Sequence, residues 1–243
     1  MLLFLTLGCK PRPVTSPVIY LVGDSTIAEK RADKRPETGW GEKLKQYFND
    51  NVIVKNHAVN GRSSKSFRDE GRWRTVIDAV HPGDFVLIGF GHNDGKPDSA
   101  RFSSPPVFQK NMEDYVRELR VKKANAILLT PIVRRKFDAG GELQLTHGKY
   151  PDAARAAAAS TKTPLIDLTA ASRLMIGNYG PEKSKELFLW LEPGEHSNYP
   201  KGKKDDTHLS PAGASLVAGM VAREIERQGL PLKEYLKLPI VFD

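Results

Sequence analysis

Ser25, Asp205 and His208 are the residues whose types and spacing could carry out chemistry in this chain. Ser25 stands in Gly23-Asp24-Ser25-Thr26, where the apolar run from Val18 to Val22 stops. A buried strand that ends there lifts the hydroxyl to the carboxyl edge of a sheet, where open α/β sheets place their reactive groups. A serine hydroxyl is inert until a base takes its proton. Asp205-Asp206-Thr207-His208 offers an imidazole with carboxylates close by. Asp205 and His208 stand three apart, so one short turn can bring them together, with Asp206 as the competing acid. Ser, Asp, His in chain order is one of several orders that build a hydrolytic triad. The Gly-x-Ser-x-Gly elbow of ordinary α/β-hydrolases is absent. Taken alone, Ser25 would also suit a helix N-cap.

Two further segments lie between these ends. Gly61 follows Asn56 and the run Val52-Ile53-Val54, and Gly91-His92-Asn93-Asp94 follows Phe85-Val86-Leu87-Ile88. Gly23-Asp24-Ser25, Gly61, Asn93 and Asp205-x-x-His208 resemble, in order, the four blocks of the SGNH (GDSL) hydrolase superfamily. Thr38-Gly39-Trp40-Gly41, Phe90 to Gly95, Thr130-Pro131 with Arg134-Arg135, and the Asp205 to Leu209 block are similar to rhamnogalacturonan acetylesterases. The resemblance runs from about Val18 to the end of the chain. It implies that Ser25 is the nucleophile and His208 the base. It also selects Asp205, three before the histidine, over Asp206 as the orienting acid. The backbone N–H groups of Ser25 and Gly61 and the amide of Asn93 are then the expected oxyanion donors. Asp94 is expected to brace its loop. His92, His147 and Tyr150 fall in matching segments but receive no role. Trp190, ahead of a Pro- and Gly-containing loop, could stack on a sugar, although packing is the commoner fate of such a side chain.

The elements that must position these residues are readable from hydrophobic patterning. Short buried runs at 18–22, 52–55, 84–89, 125–130 and 164–168 alternate with helical patterns. Trp40, Leu44, Tyr47 and Phe48 keep one helical face, as do Phe108, Met112, Tyr115, Val116 and Leu119 after Ser104-Pro105-Pro106. Continuous aliphatic runs joined by helices predict a parallel sheet covered on both faces. The expected class is α/β: a three-layer α/β/α sandwich with a flavodoxin-like sheet of about five strands. Its switch point, between the first and third strands, would lie between Ser25 and Asn93. Ser210 and Pro211 start a last helix carrying Leu216, Val217, Met220, Val221 and Ile225, which anchors the Asp205–His208 loop. Gly140-Gly141 and Pro193 to Gly202 read as loops.

The 243 residues, 40% apolar, suit one such domain, placed at 18–243. Met1 to Gly8 is Leu-rich and uncharged, followed by Cys9 and Lys10-Pro11-Arg12-Pro13. Residues 1–17 therefore read as a signal- or lipoprotein-like segment. They predict export to the periplasm, the outer surface or the medium, with a lipid anchor at Cys9. With one cysteine, neither an internal disulfide nor a thiolate zinc site can form. There is no His-Glu-x-x-His spacing and no phosphate-binding glycine loop, so neither metal nor cofactor is expected.

The net charge of +8 favours an anionic partner. Arg62, Arg134, Arg135 and Lys203 are expected at the same edge as Ser25, where they could bind substrate. The resemblance to rhamnogalacturonan acetylesterases implies deacetylation of a plant cell-wall polysaccharide of pectic or rhamnogalacturonan type, as polymer or oligosaccharide and not nucleic acid. Acetylxylan, a lipid or a thioester would be alternative esters, although no long apolar lid segment is visible. The non-enzymatic alternative is a module binding acidic glycans or nucleic acid, which would need no Ser25, Asn93 and His208 together.

Overall fold

The computed structural model describes residues 16–240. The expected signal segment with Cys9 lies almost wholly outside the described residues. Strand β1 (Val18–Gly23) is buried because both of its faces are covered. Ile19 and Leu21 point into one hydrophobic core, Tyr20 and Val22 into the other. The same alternation holds in β3 (Phe85–Gly89), where every residue is buried. With β2 (Ile53–Asn56), β4 (Asn125–Leu129) and β5 (Leu165–Ile166) these form a parallel sheet in the order β2-β1-β3-β4-β5. The order reverses between β1 and β3, the expected switch point.

Helices cover both faces. α1 (Trp40–Lys43) leads into a tight turn, Leu44–Tyr47, and packs on one face. α2 (Ser64–Asp69), α3 (Arg72–Ala79), α4 (Pro105–Val121) and α5 (Tyr150–Thr161) pack on the other. α6 (Leu168–Lys183) and α7 (Pro211–Arg227) complete the first face. The expected fifth strand is shorter than 164–168. Asp167 instead caps α6, its carboxylate accepting from Ala170 N at 3.1 Å, so Leu168 is already helical. Among the described residues no helix is long and apolar enough to cross a membrane.

The sequence reading differs most from the structure just before α7. Two strands form there, β6 (Phe188–Leu191) and β7 (Lys203–Leu209), paired antiparallel. The polar run Lys203-Lys204-Asp205-Asp206 carries no alternating apolar signal, so β7 is invisible to patterning. Phe188 pairs with Leu209, yet its neighbour Leu189 pairs with Asp205. Asp206, Thr207 and His208 are therefore extruded from the ladder as a bulge, which re-aims side chains. The acid and base stand on this bulged strand rather than on a simple turn.

The hairpin is pinned where α7 begins. Ser210 Oγ accepts from Gly213 N (3.1 Å) and donates to Glu186 O (2.6 Å). Gly213 lies so close that an added Cβ would sit 1.9 Å from Leu187 O. Relief would require the backbone itself to move. Gly213→Ala is expected to cost about 2 kcal/mol or more of unfolding free energy, measured by urea denaturation. Unchanged stability would show that the hairpin is not seated on α7 in this way.

Candidate active site

Ser25 follows β1 at a turn held by its neighbour. Asp24 Oδ1 accepts from Thr26 N (2.9 Å) and Thr26 Oγ1 (2.8 Å), while Asp24 O accepts from Ile27 N and Ala28 N. Gly23 permits the turn to pack on β3, since a Cβ there would lie 2.3 Å from Gly89 O. No helix starts at this point, so the Ser25 hydroxyl caps nothing.

Its partner is His208, whose Nε2 lies 3.0 Å from Ser25 Oγ. The other ring nitrogen, Nδ1, lies 2.9 Å from Asp205 Oδ2. An ionised carboxylate only accepts, so Nδ1 carries the proton and Nε2 accepts from the serine hydroxyl. Asp205 Oδ1 accepts from Thr207 N (2.9 Å) and His208 N (3.0 Å), which fixes the bulge. Burial alone would raise the Asp205 carboxyl. The hydrogen bond and charge of His208, with the two backbone N–H groups, outweigh burial and hold it well below the usual carboxylate range. Asp206 is committed elsewhere. Its Oδ1 accepts from Arg135 Nη1 at 2.8 Å and Trp190 Nε1 at 2.9 Å.

Gly61 has φ +76°, a conformation suited to glycine. Its loop is tied to the end of β1 by Val59 N donating to Gly23 O at 3.0 Å. Asn93 Nδ2 donates to Arg62 O at 3.1 Å, and its second amide proton meets no acceptor among the described residues. The N–H groups of Ser25 and Gly61 meet no protein acceptor among the described residues. Asp94 braces the Asn93 loop by accepting from Gly91 N (3.0 Å), Ser64 N (2.9 Å) and Ser64 Oγ (2.6 Å). Burial pushes its carboxyl up to about 7 despite those bonds.

Ser25, Asn93 and His208 line a cleft of ≈ 490 Å³. His92, His147, Tyr150, Arg134 and Lys96 also line it. His147 Nε2 meets His92 Nδ1 at 3.1 Å, with the rings edge-to-face and both buried. Burial first, then the cations around them, disfavours a charge on either ring. These histidines received no role from the sequence because neither has a local ligand or triad spacing. Only the fold pairs them.

The expected basic rim is largely redrawn. Arg134 lines the cleft, donating to His92 O (3.2 Å) and Thr146 Oγ1 (3.0 Å). Arg135 does not reach it. Its N–H donates to Asp206 O at 2.8 Å, so the chain runs alongside β7 and adjacent side chains leave on opposite sides. Arg135 is buried against Asp206, Ser184 and Pro181 O and stacks 4.7 Å from the Trp190 ring. Trp190 is thereby used in packing and is not a sugar platform in the cleft. Arg62 is held by Glu70 (2.9 Å) and Asn60 O (2.8 Å), and Lys203 lies 3.9 Å from Asp205 Oδ2; neither lines the cleft. Lys96, not singled out in the sequence, does.

These contacts separate the two adjacent acids. Asp205→Asn should lower kcat by about 10⁴-fold, since the imidazole loses its orienting acceptor. Asp206→Asn should leave kcat within a few-fold and lower thermal stability, because it loosens Arg135 and Trp190. Steady-state kinetics with melting curves on both variants decides the matter, and the reverse ranking would reject this arrangement.

Comparison with known proteins agrees with the geometry. Residues 21–216 match the GDSL-like lipase/acylhydrolase family. The chain is 43% identical over 218 residues to the rhamnogalacturonan acetylesterase RhgT of Bacillus subtilis, covering 90% of this chain and 93% of that protein. It is 27% identical over 241 residues to a rhamnogalacturonan acetylesterase of Emericella nidulans, covering 90% and 88%. A crystal structure of the B. subtilis protein YxiM superposes with a TM-score of 0.77 at 30% identity, over 90% of this chain and 59% of that one. With its motif blocks, sheet order and Ser25–His208–Asp205 geometry in place, the chain belongs to the GDSL-like lipase/acylhydrolase family.

Proposed function

We propose that the protein is a serine acetylesterase acting on an acidic, acetylated cell-wall polysaccharide, with rhamnogalacturonan as its backbone. The observation that carries this reading is the line Ser25–His208–Asp205 at 3.0 and 2.9 Å, opening into a cleft walled by Arg134 and Lys96. Identity to relatives named for that substrate supports the choice of polymer.

Ser25 Oγ attacks the acetyl carbonyl as His208 Nε2 takes its proton. Asp205 keeps the imidazole oriented and offsets its developing charge. The Asn93 amide and the N–H groups of Ser25 and Gly61 receive the oxyanion, each donor contributing about a hundred- to a thousand-fold in rate. His208 then protonates the departing sugar oxygen, and water releases acetate by the same route. A neutral acetyl group needs no cation. Galacturonate does, and a guanidinium suits its carboxylate. Arg134 and Lys96 provide that contact.

Ser25→Ala should lower p-nitrophenyl acetate hydrolysis by about 10⁴-fold or more while the fold persists. On acetylated rhamnogalacturonan, kcat/KM should fall as salt rises above ~0.1 M, where the screening length is about 10 Å. Hydrolysis of p-nitrophenyl acetate should stay flat. Arg134→Ala should mimic salt on the polymer only. Equal responses of polymer and small ester, or faster turnover of acetylxylan, would reject the acidic-substrate reading.

We also propose export, with a lipid at Cys9, on the strength of residues 1–17 alone. The protein produced in a lipoprotein-processing host should partition into detergent and Cys9→Ser should not. Equal partition of the two would reject the anchor.

A further inference from the structure

One lysine is buried directly beneath the nucleophile. The Lys30 side chain is 1% exposed, and its ammonium uses all three donors. It donates to Ser25 O, to Asn60 Oδ1 at 2.9 Å and to Glu37 Oε1 at 2.8 Å. Burial of an ammonium is tolerated only with an anion and full hydrogen bonding, and this site supplies both. Two of the three acceptors belong to the catalytic loops, since Ser25 O is the nucleophile's own carbonyl and Asn60 precedes Gly61. Lys30 therefore ties together the two segments whose N–H groups face the oxyanion.

Its third partner looks at the base. Glu37 Oε1 lies 3.9 Å from His208 Nε2, the nitrogen that serves Ser25. Thr38 N donating to Leu209 O at 3.0 Å holds the Glu37 segment against the end of β7. His208 thus faces two carboxylates, Asp205 at Nδ1 and Glu37 beyond Nε2. The other charged or titratable groups around it are Lys203 beside Asp205, buried Asp24, and His92 with Arg134 and Lys96 behind it. Tyr199 adjoins Glu37. An unneutralised Glu37 would draw the Nε2–H of the imidazolium away from the leaving oxygen. Lys30 engages the same oxygen, Oε1, that approaches Nε2.

We propose that Lys30 and Glu37 are a positioning pair: Lys30 locks the Ser25 and Gly61 loops in register and neutralises Glu37, so that His208 Nε2 serves Ser25 alone. The inference rests on the esterase reading of the site. Neither residue lines the cleft, so both act through Ser25 and His208.

The test is the pH profile of kcat/KM for p-nitrophenyl acetate in four proteins, with melting curves for each. As a separate control, the wild type must be active and Ser25→Ala inactive; without that difference the esterase reading fails and the pair is not at issue. Glu37→Gln should move the acid limb down by about one pH unit, since a carboxylate near the imidazolium is removed. Lys30→Met should move it up by a similar amount and lower kcat about a hundredfold with KM unchanged, since the oxyanion loops lose register. Lys30→Met/Glu37→Gln, which leaves no unpaired buried charge, should return the limb toward the wild type while kcat stays low. This double variant decides the matter if Lys30→Met is too unstable to assay. Acid limbs that coincide in all folded variants, or a double variant with wild-type kcat, would overturn the proposal.

Discussion

A single hydrogen bond, Ser25 Oγ to His208 Nε2 at 3.0 Å, joins positions 183 residues apart in the chain. Neither local segment can make it alone. β1 must end at the carboxyl edge of the sheet, and the β6–β7 hairpin must be carried to that edge by α7. The bulge in β7, opposite Phe188 and Leu189, then takes His208 out of the ladder toward the serine. The Asp205 carboxylate stabilises this departure by accepting the two N–H groups of Thr207 and His208. It thus holds the strand irregularity and the imidazole with the same group.

Charge is arranged in layers around that bond. Asp24 and Asp94 are buried and hydrogen-bonded to backbone and hydroxyl donors, so they shape loops and do not face substrate. Burial raises both carboxyls, whereas Asp205 is driven the other way, because the hydrogen bonds and charge of His208 and two backbone N–H groups outweigh its burial. Residues of one type therefore hold different protonation properties within one loop cluster, as environment and partner dictate. Lys30 and Glu37 extend the layer beneath Ser25, and the His92–His147 pair closes it on the cleft side without adding charge.

The opposite fates of Arg134 and Arg135 show how little a cluster of cations says about substrate. One lines the cleft. Its neighbour is consumed by Asp206 and Trp190 and fastens β7 to the segment after β4. That anchoring also withdraws Asp206 from competition for the imidazole, so the same contact settles which of two adjacent acids can orient His208.

Much of the fold was legible without coordinates because its causes are local. Continuous apolar runs bounded by Gly and Asp reveal buried strands, and strands alternating with helices allow few sheet orders. Gly23-Asp24-Ser25, Gly61, Asn93 and Asp205-x-x-His208 are compact enough to be read directly. Tertiary structure alone decided the rest. β7 is polar along most of its length and becomes a strand only through pairing with β6. No local signal marks Lys30, whose role arises only where Ser25, Glu37 and Asn60 converge on it, and His92 and His147 meet across 55 residues. The sequence determines which groups are available. Burial and long-range pairing, which depend on residues far apart in the chain, decide which of them face the cleft and which hold it in place.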